Sequence, residues 1–317
     1  MVMKIIIADN LHPDAISLLE EKDEFEIIKG FEIEDFDLKN EIKDVTCIIV
    51  RSKTKLTREI IEAGEMLRLI ARAGIGVDNI DLDAATERNI PVINAPKAST
   101  ETVADLTMGL IIALARKIVL ADKRLRKGIW KKSDLLGREL SSLKLGIVGF
   151  GRIGEAVARR ARAFGMDVCA YDAYIPMDVI EEKGVKFLEF RALLKECDVI
   201  SIHVPYTKET AGMFSHRAFD IMKEGAYLIN VSRGGVVDES ALLNALKKKK
   251  LAGAAIDVFE VESGIHPIFK FENVVVTPHI GASTIDAQRK VGIEIAEAVI
   301  GYLLQGSTIR PVNRVEL

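Results

Sequence analysis

Short apolar runs alternate with amphipathic stretches along the first hundred residues of the chain. The apolar runs predict five strands, at residues 4–8, 25–28, 47–50, 67–71 and 91–93. Between them, stretches such as 14–20 and 58–62 carry apolar residues at helical spacing. Strands that alternate with helices indicate a parallel sheet covered by helices on both faces.

A long helical pattern at 101–126 separates this region from a second series of apolar runs. These runs predict six further strands, at 144–148, 167–171, 199–203, 227–231, 254–256 and 274–276. Six strands with intervening helices make a complete doubly wound domain. The segment 283–304 is again helical in pattern, and we expect it to return to the first domain.

The predicted fold is therefore α/β, with two doubly wound parallel-sheet domains. A Rossmann domain at 99–280 is inserted into a flavodoxin-like domain made of 1–98 and 281–317. We expect a cleft between the two domains that closes around the substrate.

The composition fits a folded chain and excludes several classes of function. The 317 residues are 49% hydrophobic and 29% charged, which is too apolar for a disordered chain. A formal net charge of −3 provides no basic excess for nucleic acid or an anionic membrane. No stretch is long and apolar enough for a membrane span or a signal peptide, so we expect a cytoplasmic protein. Three scattered cysteines predict neither a disulfide framework nor a metal site.

A glycine-rich turn joins the first strand of the second domain to a helix. Gly149, Gly151 and Gly154 have the G-x-G-x-x-G spacing, which permits a tight turn, close approach of a pyrophosphate, and close packing of helix and strand. Asp172 ends the next strand, where a carboxylate accepts hydrogen bonds from ribose hydroxyls and disfavours a 2′-phosphate. The pattern predicts NAD as cofactor; the alternative is a strand-to-helix turn that binds nothing. Further cofactor-binding candidates are Arg152, Ile153, His203, Val204, Pro205, Val231, Ser232, Gly281 and Ala282.

Three ionisable residues follow strands of the second domain: Arg233, Glu262 and His279. Oxidation of a 2-hydroxy acid requires a base for the hydroxyl proton, a hydride acceptor and a cation for the carboxylate. Histidine titrates near neutral pH, a carboxylate orients its ring, and arginine grips a carboxylate with two N–H groups. Our hypothesis is that His279 is the general acid/base, Glu262 its orienting partner and Arg233 the substrate anchor. The alternative is that these residues are a structural histidine and solvated charges.

Other residues of the same types receive weaker assignments. Asp257, at the end of an apolar strand, is expected to contact the nicotinamide carboxamide. His12, His216 and His266 are expected to be surface or capping residues.

Five segments together resemble the D-isomer-specific 2-hydroxyacid dehydrogenases over nearly the whole chain. They are residues 71–81, 149–154 with 171–172, 232–238, 254–259 and 277–281. In that family the Arg–Glu–His set falls on Arg233, Glu262 and His279. The resemblance implies an NAD-dependent enzyme for a small 2-hydroxy acid, without a metal. The long helix after residue 101 is a candidate contact of a homodimer.

Within the family, the first domain is most similar to the branch that oxidises 3-phosphoglycerate to 3-phosphohydroxypyruvate in serine synthesis. The similarity lies in residues 50–54 and 72–79. The N–H groups of the Gly74-Ile75-Gly76 loop are expected to bind the substrate carboxylate. Arg51, Arg72 and Lys132 add positive charge for a substrate phosphate, although each alone is typical of a solvated surface charge.

Two other functions stay open at this point. One is a reductase of glyoxylate or hydroxypyruvate, and the other is an NAD-sensing corepressor that keeps the fold but acts by binding a partner. The sequence departs from the family at Ser263, where proline is usual, and at Asp105, where glutamate is commoner. Because the chain ends at residue 317, we expect the C-terminal regulatory domain of longer members to be missing.

Overall fold

The computed structural model describes residues 2–308 and 310–315. Contacts between Cα atoms divide the chain into two compact units. The first unit contains the residues up to Ser99 and those from Ala282, and the second is Thr100–Gly281. The predicted domain boundaries each lie one residue before these division points.

The described strands form two sheets in which every pair of neighbours is parallel. The strands of the first unit are β1 (Met3–Ile7), β2 (Phe25–Lys29), β3 (Cys47–Val50), β4 (Leu69–Arg72) and β5 (Val92–Asn94). The strands of the second unit are β6 (Lys144–Val148), β7 (Asp167–Tyr171), β8 (Lys186–Phe187), β9 (Val199–Ile202), β10 (Ala226–Asn230), β11 (Leu251–Ile256) and β12 (Val274–Val276). The α/β prediction is confirmed.

Helices connect these strands. They are α1 (Pro13–Glu20), α2 (Leu38–Glu41), α3 (Arg58–Ala63), α4 (Leu82–Glu87), α5 (Thr100–Ala115), α6 (Ile118–Leu125), α7 (Arg152–Ala163), α8 (Met177–Glu182), α9 (Phe190–Glu196), α10 (His216–Ile221), α11 (Glu239–Lys247) and α12 (Ile285–Gln305). Short 3-10 helices cover Gly30–Glu32, Ser133–Leu135, Leu140–Ser142 and Pro267–Lys270. In the described part of the chain, no helix has both the length and the apolar character that a bilayer crossing needs.

The sheet of the first unit has the strand order β2-β1-β3-β4-β5. Side chains of β1 alternate between its two faces, so that Ile5 and Ile7 pack in one apolar cluster and Ile6 in another. The returning helix α12 packs against α1 in this unit. Gly292 permits the close approach, because a Cβ atom there would lie 2.8 Å from Cβ of Ala15.

The sheet of the second unit has the strand order β12-β11-β10-β9-β6-β7-β8. The order reverses direction between β6 and β9, and this position is the topological switch point where doubly wound sheets bind ligands. Sequence periodicity missed β8, because Lys186 and Phe187 are too few to show alternation. The two residues pair with Cys169 and Ala170 of β7.

The helix predicted at 101–126 is two helices, and the prediction of one continuous element is wrong. Lys117 lies between α5 and α6 in the left-handed region, with φ of 53°. The carbonyl of Ala115, which would accept a hydrogen bond from Val119 in a continuous helix, accepts one of 2.8 Å from the N–H of Arg138. A contact from a distant segment therefore breaks a pattern that is locally helical.

We expect Gly137→Ala to lower the free energy of unfolding by about 1–3 kcal/mol, because a Cβ atom at Gly137 would lie 2.5 Å from the carbonyl oxygen of Ala115. Gly109→Ala is the matched control. Gly109 is an exposed residue inside α5, and a methyl group added there would meet no other segment within 4 Å, so alanine should stabilise the helix by about 0.5–1 kcal/mol. Urea unfolding measures both, and equal midpoints would contradict the role given to the Arg138–Ala115 contact.

Candidate active site

The glycine-rich turn lies at the switch point of the second sheet. Gly149 follows β6 with φ of 95°, and a Cβ atom there would lie 2.7 Å from the carbonyl oxygen of His203, which follows β9. Gly154 brings α7 against the turn, since a Cβ atom there would collide with the carbonyl of Gly149. Beside Gly151, the N-terminal cap of α7, the space is open. Free N–H groups of a helix start next to open space fit a pyrophosphate.

The structure brings the carboxylate of Asp172 to this turn. Its Oδ2 accepts a hydrogen bond of 2.7 Å from the N–H of Phe150, inside the turn. Its Oδ1 accepts hydrogen bonds from the N–H groups of Tyr174 and Ile175, at 2.8 and 3.0 Å. A carboxylate has about four acceptor positions, so Asp172 keeps room for a further donor such as a ribose hydroxyl.

The remaining cofactor candidates follow the same edge of the sheet. Arg152 and Ile153 begin α7, Val204 and Pro205 follow β9, Val231 and Ser232 follow β10, and Gly281 and Ala282 follow β12. Of these, Val204 contacts the glycine turn directly: a Cβ atom on Gly149 would lie 2.9 Å from its Cγ1.

His203 is a neutral histidine in this group. Its Nε2 lies 2.8 Å from the hydroxyl of Ser201, and burial of the ring lowers the pKa of His203 from 6.5 to about 3. A ring that stays neutral above pH 3 cannot serve as a general acid near neutral pH. His203 is therefore unsuited to the proton-transfer role and suited to lining an uncharged surface.

A buried carboxylate organises the loop after β12. Asp257 has no solvent exposure. Its Oδ1 accepts hydrogen bonds from the hydroxyl of Thr277 at 2.6 Å and from the N–H of Ile280 at 2.8 Å, and its Oδ2 accepts one from the N–H of Gly281 at 2.9 Å. The N–H of His279 donates to the carbonyl of Asp257 at 2.8 Å. These three hydrogen bonds tie the Asp257 carboxylate to the loop, and contact with the nicotinamide carboxamide stays a prediction.

The same loop carries His279, which pairs with Glu262. Nδ1 of His279 lies 2.6 Å from Oε1 of Glu262. The two side chains are 43% and 50% exposed, so both are accessible to a ligand. Because the Nδ1 hydrogen faces a carboxylate, Nε2 is the nitrogen left to exchange a proton. The serine at position 263 does not keep the predicted partners apart.

Arg233 lies in the loop that follows β10. β10, β11 and β12 are neighbours in the sheet, and Arg233, Glu262 and His279 follow these strands in that order. The guanidinium of Arg233 donates to the carbonyl of Ser232 at 2.7 Å, and the amide of Asn230 donates to the carbonyl of Arg233 at 3.1 Å. The three predicted catalytic residues therefore share one edge, and a direct contact joins two of them.

In the first unit, the predicted substrate residues also follow neighbouring strands. Arg51 follows β3 and Arg72 ends β4, and β3 and β4 are paired. The guanidinium of Arg72 lies over Gly74, where a Cβ atom would collide with it. The Gly74-Ile75-Gly76 loop is fixed through the carbonyl of Ile75, which accepts a hydrogen bond of 2.6 Å from Asn94.

Sequence reasoning missed the residue that holds Arg51 in place. Asp9 is 5% exposed and follows β1, next to β3 in the sheet. It accepts hydrogen bonds from the N–H of Arg51 at 2.6 Å and from the hydroxyl of Thr54 at 2.8 Å. An aspartate just after an apolar strand was the available signal.

Two further predictions concern Lys132 and the other histidines. Lys132 precedes a 3-10 helix in the second unit, in a segment where Asp134 pairs with Arg124 at 3.2 Å; its phosphate-binding role stays a prediction. His12 caps α1, as expected. His266 occupies the N-terminal cap position of the 3-10 helix Pro267–Lys270, as expected, although its side chain makes no capping hydrogen bond. It is not a surface side chain, because it is 11% exposed and packs against two phenylalanine rings. Among the described residues, no cluster of three His, Cys, Asp or Glu side chains has a metal-binding arrangement.

Comparison with known proteins decides the family. Residues 108–281 match the NAD-binding domain of the D-isomer-specific 2-hydroxyacid dehydrogenases. The chain belongs to this family. Its cofactor is therefore NAD, which confirms the prediction from the glycine turn and fits the open space beside Gly151.

Individual relatives cover nearly the whole chain. A D-3-phosphoglycerate dehydrogenase of Methanocaldococcus jannaschii is 46% identical over 94% of this chain and 57% of its own length. A hydroxypyruvate reductase of Thermotoga maritima is 44% identical over 95% of this chain and 98% of its own length. The crystal structure of D-lactate dehydrogenase from Aquifex aeolicus, complexed with NAD and lactic acid, has a TM-score of 0.83 at 33% identity and covers 96% of this chain and 98% of that one. The chain thus spans little more than half the length of the phosphoglycerate relative and almost all of the reductase.

The low pKa of His203 makes stability depend on pH. Between pH 6.5 and about 3, the unfolded chain binds a proton at His203 that the folded chain does not bind. The free energy of unfolding should therefore fall as the pH is lowered through this window, by at most about 1.4 kcal/mol per pH unit. His203→Gln should flatten this dependence. His216→Gln, which alters an exposed histidine, is the control. A slope unchanged by His203→Gln in urea unfolding would contradict the burial of a neutral ring.

Proposed function

We propose that this protein is an NAD-dependent dehydrogenase that oxidises 3-phosphoglycerate to 3-phosphohydroxypyruvate. The observation that carries the proposal is the hydrogen bond of 2.6 Å between His279 and Glu262 at the ligand-binding edge of the NAD-binding unit. An oriented imidazole at this edge supplies the proton transfer that oxidation of a hydroxyl requires. The phosphoglycerate dehydrogenase relative supports the choice of substrate.

His279 takes the proton of the substrate hydroxyl on Nε2 in this proposal. Glu262 accepts the hydrogen bond from Nδ1 and stabilises the imidazolium that forms. NAD held at the glycine turn would supply the acceptor for the hydride that leaves the carbon bearing this hydroxyl. The neutral His203 near the glycine turn adds no competing acid, since the pKa of its ring is about 3.

Arg233 binds the substrate carboxylate in the proposal. Arg233 is half-buried, and arginine is the residue whose planar, cationic side chain best matches a carboxylate. The loop that carries it begins with Val231 and Ser232 at the end of β10, so a rigid strand fixes its start. A planar guanidinium forms two parallel hydrogen bonds with a carboxylate, which holds the reacting carbon in one orientation.

Arg51 and Arg72 provide the positive charge for the phosphate. Both are half-buried and follow paired strands of the first unit. Asp9 holds the backbone of Arg51, and the guanidinium of Arg51 donates to the carbonyl of Asn10 at 3.0 Å. An arginine whose backbone is fixed loses less conformational entropy when it binds an anion. The N–H groups of Gly74, Ile75 and Gly76 are the proposed second anchor of the substrate carboxylate.

A second substrate has its own support. The hydroxypyruvate reductase of Thermotoga maritima matches over almost its whole length, whereas the phosphoglycerate dehydrogenase extends well beyond the match. Hydroxypyruvate is 3-phosphohydroxypyruvate without the phosphate group. The arrangement of His279, Glu262 and Arg233 serves both substrates, and only the basic residues distinguish them.

A homodimer, a place in serine synthesis and a cytoplasmic location are parts of the same proposal. The proposed dimer contact lies on α6 and the segment after it, because α5 buries most of its apolar side chains in its own unit. Exposed apolar side chains in this region are Ile118, Leu125, Ile129, Trp130 and Leu136. Several large exposed apolar side chains in one segment favour a protein interface there.

Steady-state oxidation of NADH with three keto acids tests the proposed function. We expect kcat/KM for 3-phosphohydroxypyruvate to exceed those for hydroxypyruvate and glyoxylate by about tenfold or more, because a bound phosphate adds charge-assisted hydrogen bonds. His279→Ala should lower kcat by about 10²–10⁴-fold and leave the Kd for NADH unchanged. His216→Ala is the control and should retain the parent activity.

The outcomes separate the alternatives. A higher kcat/KM for hydroxypyruvate or glyoxylate would replace the phosphoglycerate reaction with the reductase reaction. Full activity of His279→Ala would remove His279 from the mechanism. Absence of turnover with all three acids, combined with tight NADH binding, would favour the corepressor-like role.

A further inference from the structure

A second histidine packs beside the loop that carries Glu262. We call residues 258–266 the Glu262 loop. His266 ends this loop and its side chain is 11% exposed, whereas that of Glu262 is 50% exposed. The ring centroid of His266 lies 4.5 Å from that of Phe259 and 5.3 Å from that of Phe269. His266 is therefore a packed residue that follows the exposed stretch 260–265 of this loop.

One hydrogen bond of the His266 ring is to the peptide group that precedes Glu262. Nε2 of His266 lies 2.9 Å from the carbonyl oxygen of Val261. This carbonyl belongs to the peptide bond that joins Val261 to Glu262. The ring therefore fixes the plane of that peptide and, with it, the direction in which the Glu262 side chain leaves the backbone.

The other side of the ring is tied to a helix. Nδ1 of His266 lies 3.2 Å from Oε2 of Glu239, the first residue of α11. Oε1 of the same carboxylate accepts a hydrogen bond of 2.9 Å from the N–H of Glu260. One carboxylate on a helix thus holds the Glu262 loop at two points, directly through Glu260 and through His266.

Gly234 completes the support of this loop. It follows Arg233, and a Cβ atom there would lie 2.7 Å from the nitrogen of Glu260 and would collide with the carbonyl of Phe259. Gly234, the neighbour of Arg233, lies this close to the Glu262 loop only because it lacks a side chain. The supports of Glu262 and Arg233 are therefore physically continuous.

The two partners of the His266 ring are both acceptors. A carboxylate and a carbonyl accept hydrogen bonds, and a neutral imidazole has one N–H to donate. A neutral ring can therefore donate to only one of these two acceptors at a time. Both hydrogen bonds form together only when the His266–Glu239 pair holds one additional proton. An amide in place of the Glu239 carboxylate would satisfy the neutral ring, because it donates to Nδ1 and leaves the Nε2 hydrogen for Val261.

We propose that His266, held by Glu239, is a positioning residue that keeps Glu262 within hydrogen-bond distance of His279. This inference rests on the proposed function, in which Glu262 and His279 carry out the proton transfer. His266 itself contacts no reacting atom in the proposal. It acts through the peptide that precedes Glu262.

A double-mutant cycle measures this action. His266→Phe keeps an aromatic ring against Phe259 and Phe269 but donates no hydrogen bond. We expect it to lower kcat by about ten- to a hundredfold, since small displacements of catalytic groups have effects of this size, with an unchanged Kd for NADH. In the Glu262→Ala background the same change should lower kcat no further, because no carboxylate remains to be positioned. His216→Phe is the control and should retain the parent kcat.

Conservative rescue at Glu239 provides the second readout. Glu239→Ala should lower kcat as His266→Phe does. Glu239→Gln should stay within about threefold of the parent, because its amide accepts from Glu260 and donates to a neutral His266. This comparison also keeps the test valid if His266→Phe fails to fold.

The results distinguish the two levels of the proposal. Parent-like kcat in both Glu262→Ala and His279→Ala would overturn the proposed function. Loss of activity in those variants, with His266→Phe either harmless or fully additive to Glu262→Ala, would overturn the positioning role alone. Equal kcat for Glu239→Ala and Glu239→Gln would overturn it as well.

Discussion

The hydrogen bonds that converge on the buried carboxylate of Asp257 hold the loop that carries His279. A carboxylate without solvent exposure must be compensated by donors, and here they come from Thr277, Ile280 and Gly281. Each hydrogen bond to a buried charged group contributes about 1.5–3 kcal/mol. They offset the left-handed conformation of His279, with φ of 53°, which is unfavourable for a residue with a side chain. The position of His279 beside Glu262 follows from this compensation.

Aspartates at the carboxyl ends of two other strands also accept hydrogen bonds from the backbone of a neighbouring loop. Asp9, after β1, binds the backbone of the loop after β3. Asp172, after β7, binds the turn after β6. In each case an aspartate at the end of one parallel strand satisfies N–H groups of a loop that begins at a neighbouring strand, where no further strand residue is available to pair with them. Hydrogen bonds from a neighbouring strand end thereby hold the loops that carry the candidate site residues.

Much of this architecture could be predicted from the sequence, because hydrophobic periodicity reports burial and burial fixes the strands. The strand at Cys47–Val50 and the one at Lys144–Val148 were predicted to the residue. The break after α5 could not be predicted, since it depends on a hydrogen bond from Arg138 to Ala115 across 23 positions that leaves no local pattern. The two-residue strand β8 was too short for any periodic signal.

The candidate site also contains residues that could be predicted from the sequence and residues that could not. Spacing and residue chemistry predicted the glycine turn, His279 and Glu262, because the turn has the G-x-G-x-x-G pattern and oxidation of a hydroxy acid needs a base with an orienting carboxylate. The supporting residues were missed or misassigned because their environment is assembled by distant segments. His266 packs between Phe259 and Phe269, which are close to it in the sequence, but its partner Glu239 lies 27 positions away on α11, and no local pattern predicts that contact.

The crystal structure of Asp257→Asn, solved with NAD, tests most directly whether this carboxylate positions the catalytic pair. The amide nitrogen of asparagine cannot accept the hydrogen bond that Gly281 donates, so a donor of the loop loses its partner. We expect the backbone of His279 to leave its left-handed conformation and its Nδ1 to move beyond hydrogen-bond distance of Glu262. An unchanged loop, with His279 and Glu262 still 2.6 Å apart as in the parent, would contradict the central role given to Asp257.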